Sequence, residues 1–291
     1  MKKISTCVLL LLSLGFVLPL SAQDQESTKI RFNAPQNPNG FYTLAMLELA
    51  ISRLDKDYEI ELVEGGMTQA RTIDNVTRGV LDIMSAATNE EMEELLQPIR
   101  IPLFKGLLGH RIFIIHRDNQ ALFDRVETFE DLKHVTFGQG ARWADTQILE
   151  HNGLTVVKVN KFPSLFYMVD GERFDAFPRG VNEPFGEVVS WNTESDLELA
   201  VEKRLMLVYR MPFYMYTSKN RPQLAADLER GLNLAIADGG FDELFFSNET
   251  VQDVLQKANL SERLVFPLDN PTLPTATPVE RSELWLDVSA L

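Results

Sequence analysis

Cysteine is almost absent from this sequence: Cys7 is the only one. A disulfide framework is therefore excluded, and a packed core must carry the stability. Histidine is scarce as well. His110, His116, His134 and His151 show no close ligand spacing, so no metal site is expected. Positive charge is in deficit, with 28 Lys and Arg against 42 Asp and Glu and a net charge of −14. That balance disfavours nucleic acid and anionic membrane surfaces as partners, since both need a cationic footprint. There is no Gly-x-Ser-x-Gly elbow and no phosphate-loop glycine-lysine motif, and no cofactor is expected.

Long apolar runs are missing too, apart from one at the start. Lys2 and Lys3 precede an apolar stretch over 8–17, and Pro19 with the small pair Ser21-Ala22 follows. This is the order of a secretory signal peptide, and it predicts cleavage after Ala22 and export to the periplasm. The alternative, an uncleaved anchor, needs about 20 apolar residues, and this run is shorter. Cys7 lies too early in the run for a lipoprotein cleavage site. No membrane insertion is expected after cleavage.

What is present is an alternating rhythm. A strand over 29–33 leads into a turn-rich loop, Ala34-Pro35-Gln36-Asn37-Pro38-Asn39-Gly40. A helix follows over 41–54, with Leu44, Leu47, Ile51 and Leu54 at spacings of three and four. Strands over 58–63 and 81–86 flank an amphipathic helix over 68–78. The pattern strand, helix, strand predicts a parallel sheet covered by helices. After a short acidic helix over 90–96 and an apolar strand over 111–116, the rhythm restarts. Thr128 caps a turn with Asp131 three residues on. A strand over 135–137, the turn Gly138-Gln139-Gly140, a helix over 143–151 and a strand over 155–159 come next. A helix over 164–169 and a strand over 175–177 follow, then strands over 205–209 and 212–216. A helix over 222–237 ends at Gly239-Gly240. From Phe266 the chain is proline-rich and reads as an extended tail held by Leu284, Trp285 and Leu286.

Four stretches carry a family likeness: Arg78 to Ile83 followed by Ser85-Ala86-Ala87-Thr88, then Thr128 to Gly140, Asp170 to Asn182, and Tyr214 to Gly239. In order and spacing the chain resembles the type II periplasmic solute-binding proteins, near the family that serves polar amino-acid transporters. The resemblance implies an α/β fold of two lobes with a ligand cleft between them. Lobe one would take 28–115 and 212–265, lobe two 116–211, and 266–291 would be the tail. Hinge crossings would fall near His116 and Arg210, and ligand would favour closure.

The site expected from these readings has three parts. Gly138, Gly140, Arg142 and Trp143 lie between a strand and a helix, where free backbone N–H groups attract anions. Arg179, Asn182 and Glu183 follow a buried strand, where open α/β sheets bind ligands. Thr88 and Glu91 stand where the resembling family has a threonine and an arginine for the ligand carboxylate. Arg179 stands where it usually has an aspartate for the ligand amine. Both landmark charges are reversed, which argues against a plain α-amino acid and for a solute whose anionic group faces lobe two. Phe41, Tyr42, Trp143 and Tyr214 are aromatic candidates for stacking, with core or lobe packing as the alternative.

The implied function is non-catalytic capture of a small polar solute for an ABC-type membrane permease or a sensor. Two alternatives stay open: a dehydratase-like enzyme on the same fold, and an envelope protein that has lost high-affinity binding.

Overall fold

The structure, a computed structural model, describes residues 28–287. The expected leader lies outside the described residues. In chain order the first elements are β1 (Thr28–Asn33), α1 (Pro38–Ser52), β2 (Tyr58–Val63), α2 (Gln69–Thr77), β3 (Ile83–Ala87), α3 (Glu90–Leu95) and β4 (Leu96–Ile99). The middle of the chain forms β5 (His110–His116), α4 (Gln120–Phe123), α5 (Phe129–Leu132), β6 (Thr136–Gly140), α6 (Ala144–His151), β7 (Thr155–Val159), α7 (Phe162–Asp170), β8 (Phe177–Gly180), α8 (Pro184–Ser195) and β9 (Leu199–Val201). The remainder forms β10 (Leu205–Val208), β11 (Phe213–Ser218), α9 (Pro222–Ala237), α10 (Gly240–Ser247), α11 (Glu249–Lys257) and β12 (Leu264–Pro267).

Local chemistry sets several of these ends. Asn37 caps α1 by accepting from Gly40 N–H at 2.9 Å, and Pro38 opens the helix where no N–H is needed. Thr128 and Asp131 form a reciprocal capping box at α5. Helix α9 buries Leu224, Leu228 and Leu232 on one stripe and stops before Gly239, whose φ of 84° suits glycine. A Cβ on Gly231 of α9 would fall 2.2 Å from the Ala50 carbonyl of α1, so the two helices meet at backbone distance.

Two lobes result. The first is a five-stranded sheet in the order β2-β1-β3-β11-β4, in which β1 runs parallel to β2 and β3 while β11 runs antiparallel to β3 and β4. The sheet is mixed rather than parallel because β11 arrives from the other lobe. Its core joins Ile30, Met46, Ile83, Leu228 and Phe245. The second lobe has the sheet β12-β10-β5-β8, with β9 also on β5, and a smaller parallel pair β6-β7. Phe113, Phe137, Ile148 and Leu207 centre its core.

The connections between lobes lie side by side. One runs through the turn Leu107–Gly109, the other from Tyr209 to Pro212. Tyr209 N–H donates to the Gly109 carbonyl at 3.0 Å, and a Cβ on Gly109 would sit 2.0 Å from the Tyr209 carbonyl. By sheet membership, His110 to Ile115 belong with the second lobe, because β5 pairs with β8, β9 and β10. The sequence assigned them to lobe one and the crossing to His116. Residues 264 and 265, also assigned to lobe one, lie in β12, which pairs with β10.

The tail then returns to the two interlobe connections. The Asn270 side chain donates to the Arg210 carbonyl at 2.8 Å, and Leu286 N–H donates to the Lys105 carbonyl at 2.8 Å. Trp285 lies against Gly106 of the first connection, where a Cβ would fall 2.6 Å from its ring, and Arg210 of the second sits 4.7 Å from its centroid.

Candidate functional site

A cavity of about 570 Å³ opens between the lobes. Helices α1, α2, α6 and α8 all begin at its wall: Asn37 and Asn39, Gln69, Trp143 to Asp145, and Glu183 are among its lining residues. Helix N-termini carry partial positive charge and free N–H groups. The start of α6 has no side-chain cap. Arg142, just before it, is exposed at the cavity and has no ion-pair partner among the described residues.

The two walls differ in chemistry. Among the described residues, every charged one on the lining comes from lobe two: Arg111, Arg142, Asp145, Arg179 and Glu183. Lobe one offers amides and hydroxyls, such as Asn33, Gln36, Thr72 and Ser85, with the apolar Met67, Met84 and Phe213.

Four of the five lobe-two charges form a buried layer. Arg111 contacts Asp145 at 2.7 Å and Glu183 at 3.4 Å, and Tyr209 donates its hydroxyl to Asp145. Arg179 holds Glu187 through Nε at 2.8 Å and Nη2 at 2.7 Å, and Nη2 also reaches Glu183 at 2.8 Å. Glu183 additionally accepts from Gly180 N–H at 2.7 Å. Burial opposes the charge on both arginines, but the carboxylates outweigh it and hold each guanidinium above its ordinary pKa. For Glu187 burial wins instead: it raises the carboxyl even beside Arg179. Burial also raises the Tyr209 phenol, which keeps it a donor to Asp145. Asn39 of α1 closes the layer from lobe one, accepting from the Asn182 amide at 3.1 Å and donating to Glu183 at 3.4 Å.

Of the residues expected from the sequence, Arg142, Trp143, Arg179 and Glu183 line the cavity. Arg179 differs in role from the expectation, because its fork is already occupied by Glu187. It sits within 5.1–5.5 Å of the rings of Phe177, Phe162 and Trp143. The others lie elsewhere. Gly138 and Gly140 are strand residues of β6 rather than a turn; Phe174 covers the first and Trp143 the second. Thr88 is buried and donates to Glu93 at 3.0 Å, while Glu91 is exposed and off the cavity. Phe41 points into solvent at 60% exposure, and Tyr214 is fully buried beside Tyr216 in the lobe-one core. Asn182 contacts lobe one at the cavity margin.

Sequence reasoning missed Arg111 and Asp145. A charged residue at the head of the apolar run Ile112 to Ile115 was the available signal for Arg111. It also missed a second grouping, His116, Asp118 and Glu198, whose ligand-type atoms lie within 4.8 Å of one another. Arg117 already pairs with Glu198 there, and we read it as a surface ion cluster.

No protein-family model matches the sequence, and no curated protein matches it. Solved structures do match. An ancestral arginine-binding protein bound to arginine aligns at TM-score 0.55 and 16% identity, covering 76% of this chain and 98% of that one. The probable amino-acid ABC transporter extracellular-binding protein ytmK from Bacillus subtilis aligns at 0.57 and 17%, covering 78% and 100%. The periplasmic VFT2 domain of Bordetella pertussis BvgS aligns at 0.57 and 15%, covering 78% and 94%. At such identities the likeness defines the fold: this chain has the two-lobed type II periplasmic-binding-protein architecture. Among the described residues, no helix is long and apolar enough to cross a membrane.

Proposed function

We propose that this protein is a non-catalytic periplasmic receptor that captures a small solute through an anionic group between its lobes. It would present the solute to an ABC-type permease or to a sensor. The observation that carries this reading is Arg142: a guanidinium with no ion-pair partner among the described residues, at the uncapped start of α6 on the wall of an interlobe cavity. A charge-assisted bond from such a group fits a carboxylate or phosphate. The solved relatives are named as binding proteins or a periplasmic domain, which supports binding over turnover. The cavity carboxylates favour it as well. Asp145 and Glu183 both hold arginines, so neither is free to act as an acid or base.

Calorimetry with anionic, neutral and cationic solutes tests the reading, together with native mass spectrometry of co-purified ligand. Arg142→Gln should weaken binding of an anionic solute by roughly ten- to a hundredfold, as expected for one charge-assisted bond. Equal affinity in the variant and the parent removes Arg142 from the site.

A further inference from the structure

The cavity pairs its anion clamp with an apolar surface on the same short segment. Arg142, Trp143, Ala144 and Asp145 all line it, and Phe162 joins Trp143 at a ring-centroid distance of 6.0 Å. Phe162 keeps 39% of its surface exposed although it is a large apolar side chain. Across the cleft the lobe-one wall contributes Met67 and Phe213, both only partly buried. Partly exposed aromatic and methionine side chains on facing walls of one cleft are a surface waiting to be covered.

The distribution of charge narrows the ligand further. A zwitterion needs an anionic partner for its ammonium as well as a cation for its carboxylate. Among the described residues, lobe one provides no charged one to the lining. Lobe two provides two lining carboxylates, Asp145, held by Arg111, and Glu183, shared between Arg111 and Arg179. Turning Asp145 to an ammonium would leave the buried Arg111 with only its 3.4 Å contact to Glu183, a costly exchange, and Glu183 is already shared by both arginines and by Gly180 N–H. Among the described lining charges Arg142 alone has no ion-pair partner among the described residues, so it is the one left for a ligand to satisfy.

From this we infer that the ligand is a monoanionic acid with a flat apolar body, of the aromatic carboxylate class, rather than an amino acid. The carboxylate meets Arg142 and the N–H groups at the start of α6. The ring lies along Trp143 and Phe162, and closure brings Met67 and Phe213 onto its other side. This inference rests on the anionic reading above and specifies its substrate.

Three probes separate the elements: phenylacetate, L-phenylalanine and propionate, titrated by calorimetry into the intact exported protein. Phenylacetate has ring and charge, L-phenylalanine adds the ammonium, and propionate lacks the ring. Phenylacetate should bind at least tenfold more tightly than either of the others. Trp143→Leu and Phe162→Leu, each checked by thermal melting to be folded, should each erase the advantage over propionate. L-phenylalanine binding as tightly as phenylacetate overturns the monoanion assignment. Propionate binding as tightly overturns the aromatic surface, while leaving the anion receptor standing. If none of the three binds but a neutral or cationic solute does, the anionic reading fails and this inference with it.

Discussion

Replacing Arg179 should cost the protein stability before it costs affinity. The guanidinium is buried and makes three contacts of 2.7–2.8 Å, two with Glu187 and one with Glu183. In Arg179→Ala, Glu183 keeps Gly180 N–H, Arg111 and Asn39, but Glu187 loses its ion-pair partner. Removing one member of a buried pair typically costs about 3–5 kcal/mol, because the remaining charge is stranded. For a chain of this size each kcal/mol moves the melting temperature roughly 2–4 °C, so a fall of about 6–20 °C is expected. The pH dependence gives a second handle. Burial raises the Glu187 carboxyl from its usual 4.5, while Arg179 pulls it down. A raised carboxyl contributes stability fully below its unfolded pKa and loses it as pH rises through the folded value. Without Arg179 that value rises further, so the variant should lag the parent more at pH 7 than at pH 4.5. Thermal and urea melts at both pH values make the measurement, with Arg179→Ala/Glu187→Gln as the partial rescue. A loss below about 1 kcal/mol, or an equal loss at both pH values with no rescue, would refute the buried-layer argument.

Two further outcomes follow from the hinge. Trp285→Ala removes the ring that touches both interlobe connections, and should lower stability by about 2 kcal/mol through lost apolar burial. It should also widen the spread of interlobe distances in paired-label spectroscopy, and an unchanged distribution would show that the tail does not restrain the hinge. His110, at the first connection, has its pKa lowered by burial and by Arg210 and Arg111, against a contact of Nδ1 with the Gly106 carbonyl at 3.2 Å. A base depressed in the folded state contributes stability above its unfolded value near 6.5 and loses it as pH falls towards the folded value. Stability should therefore decline from about pH 6.5 downward, and His110→Gln should flatten that limb in melts taken from pH 7.5 to 5.

The fold was readable from local signals because its elements are locally consistent. The stripe Leu224, Leu228, Leu232 gave α9 its full span, 222–237, and Thr128 with Asp131 marked a cap that the structure forms. What local signals misplaced was pairing at a distance. Gly138-Gln139-Gly140 reads as a turn by composition, yet β7 and a bridge to Ala176 hold it as strand, with its glycines admitting Phe174 and Trp143. Helix α8 escaped notice because Pro184 and Gly186 near its start look like loop. The same cause separates several residues chosen by position from the interlobe cavity. Motif position pointed to Thr88, Glu91 and Tyr214, but whether a residue faces the cleft is decided by sheet register and by the opposite lobe. Tyr214 pairs with Ala86 and turns into the lobe-one core instead. Arg111 and Asp145 are 34 positions apart and become one ion pair only after β5 and α6 pack, so no spacing could announce them. Arg142 could be picked out because a helix start just after it is a local signal, and it lines the cavity there. Its replacement most directly separates an anion receptor from a fold that no longer binds.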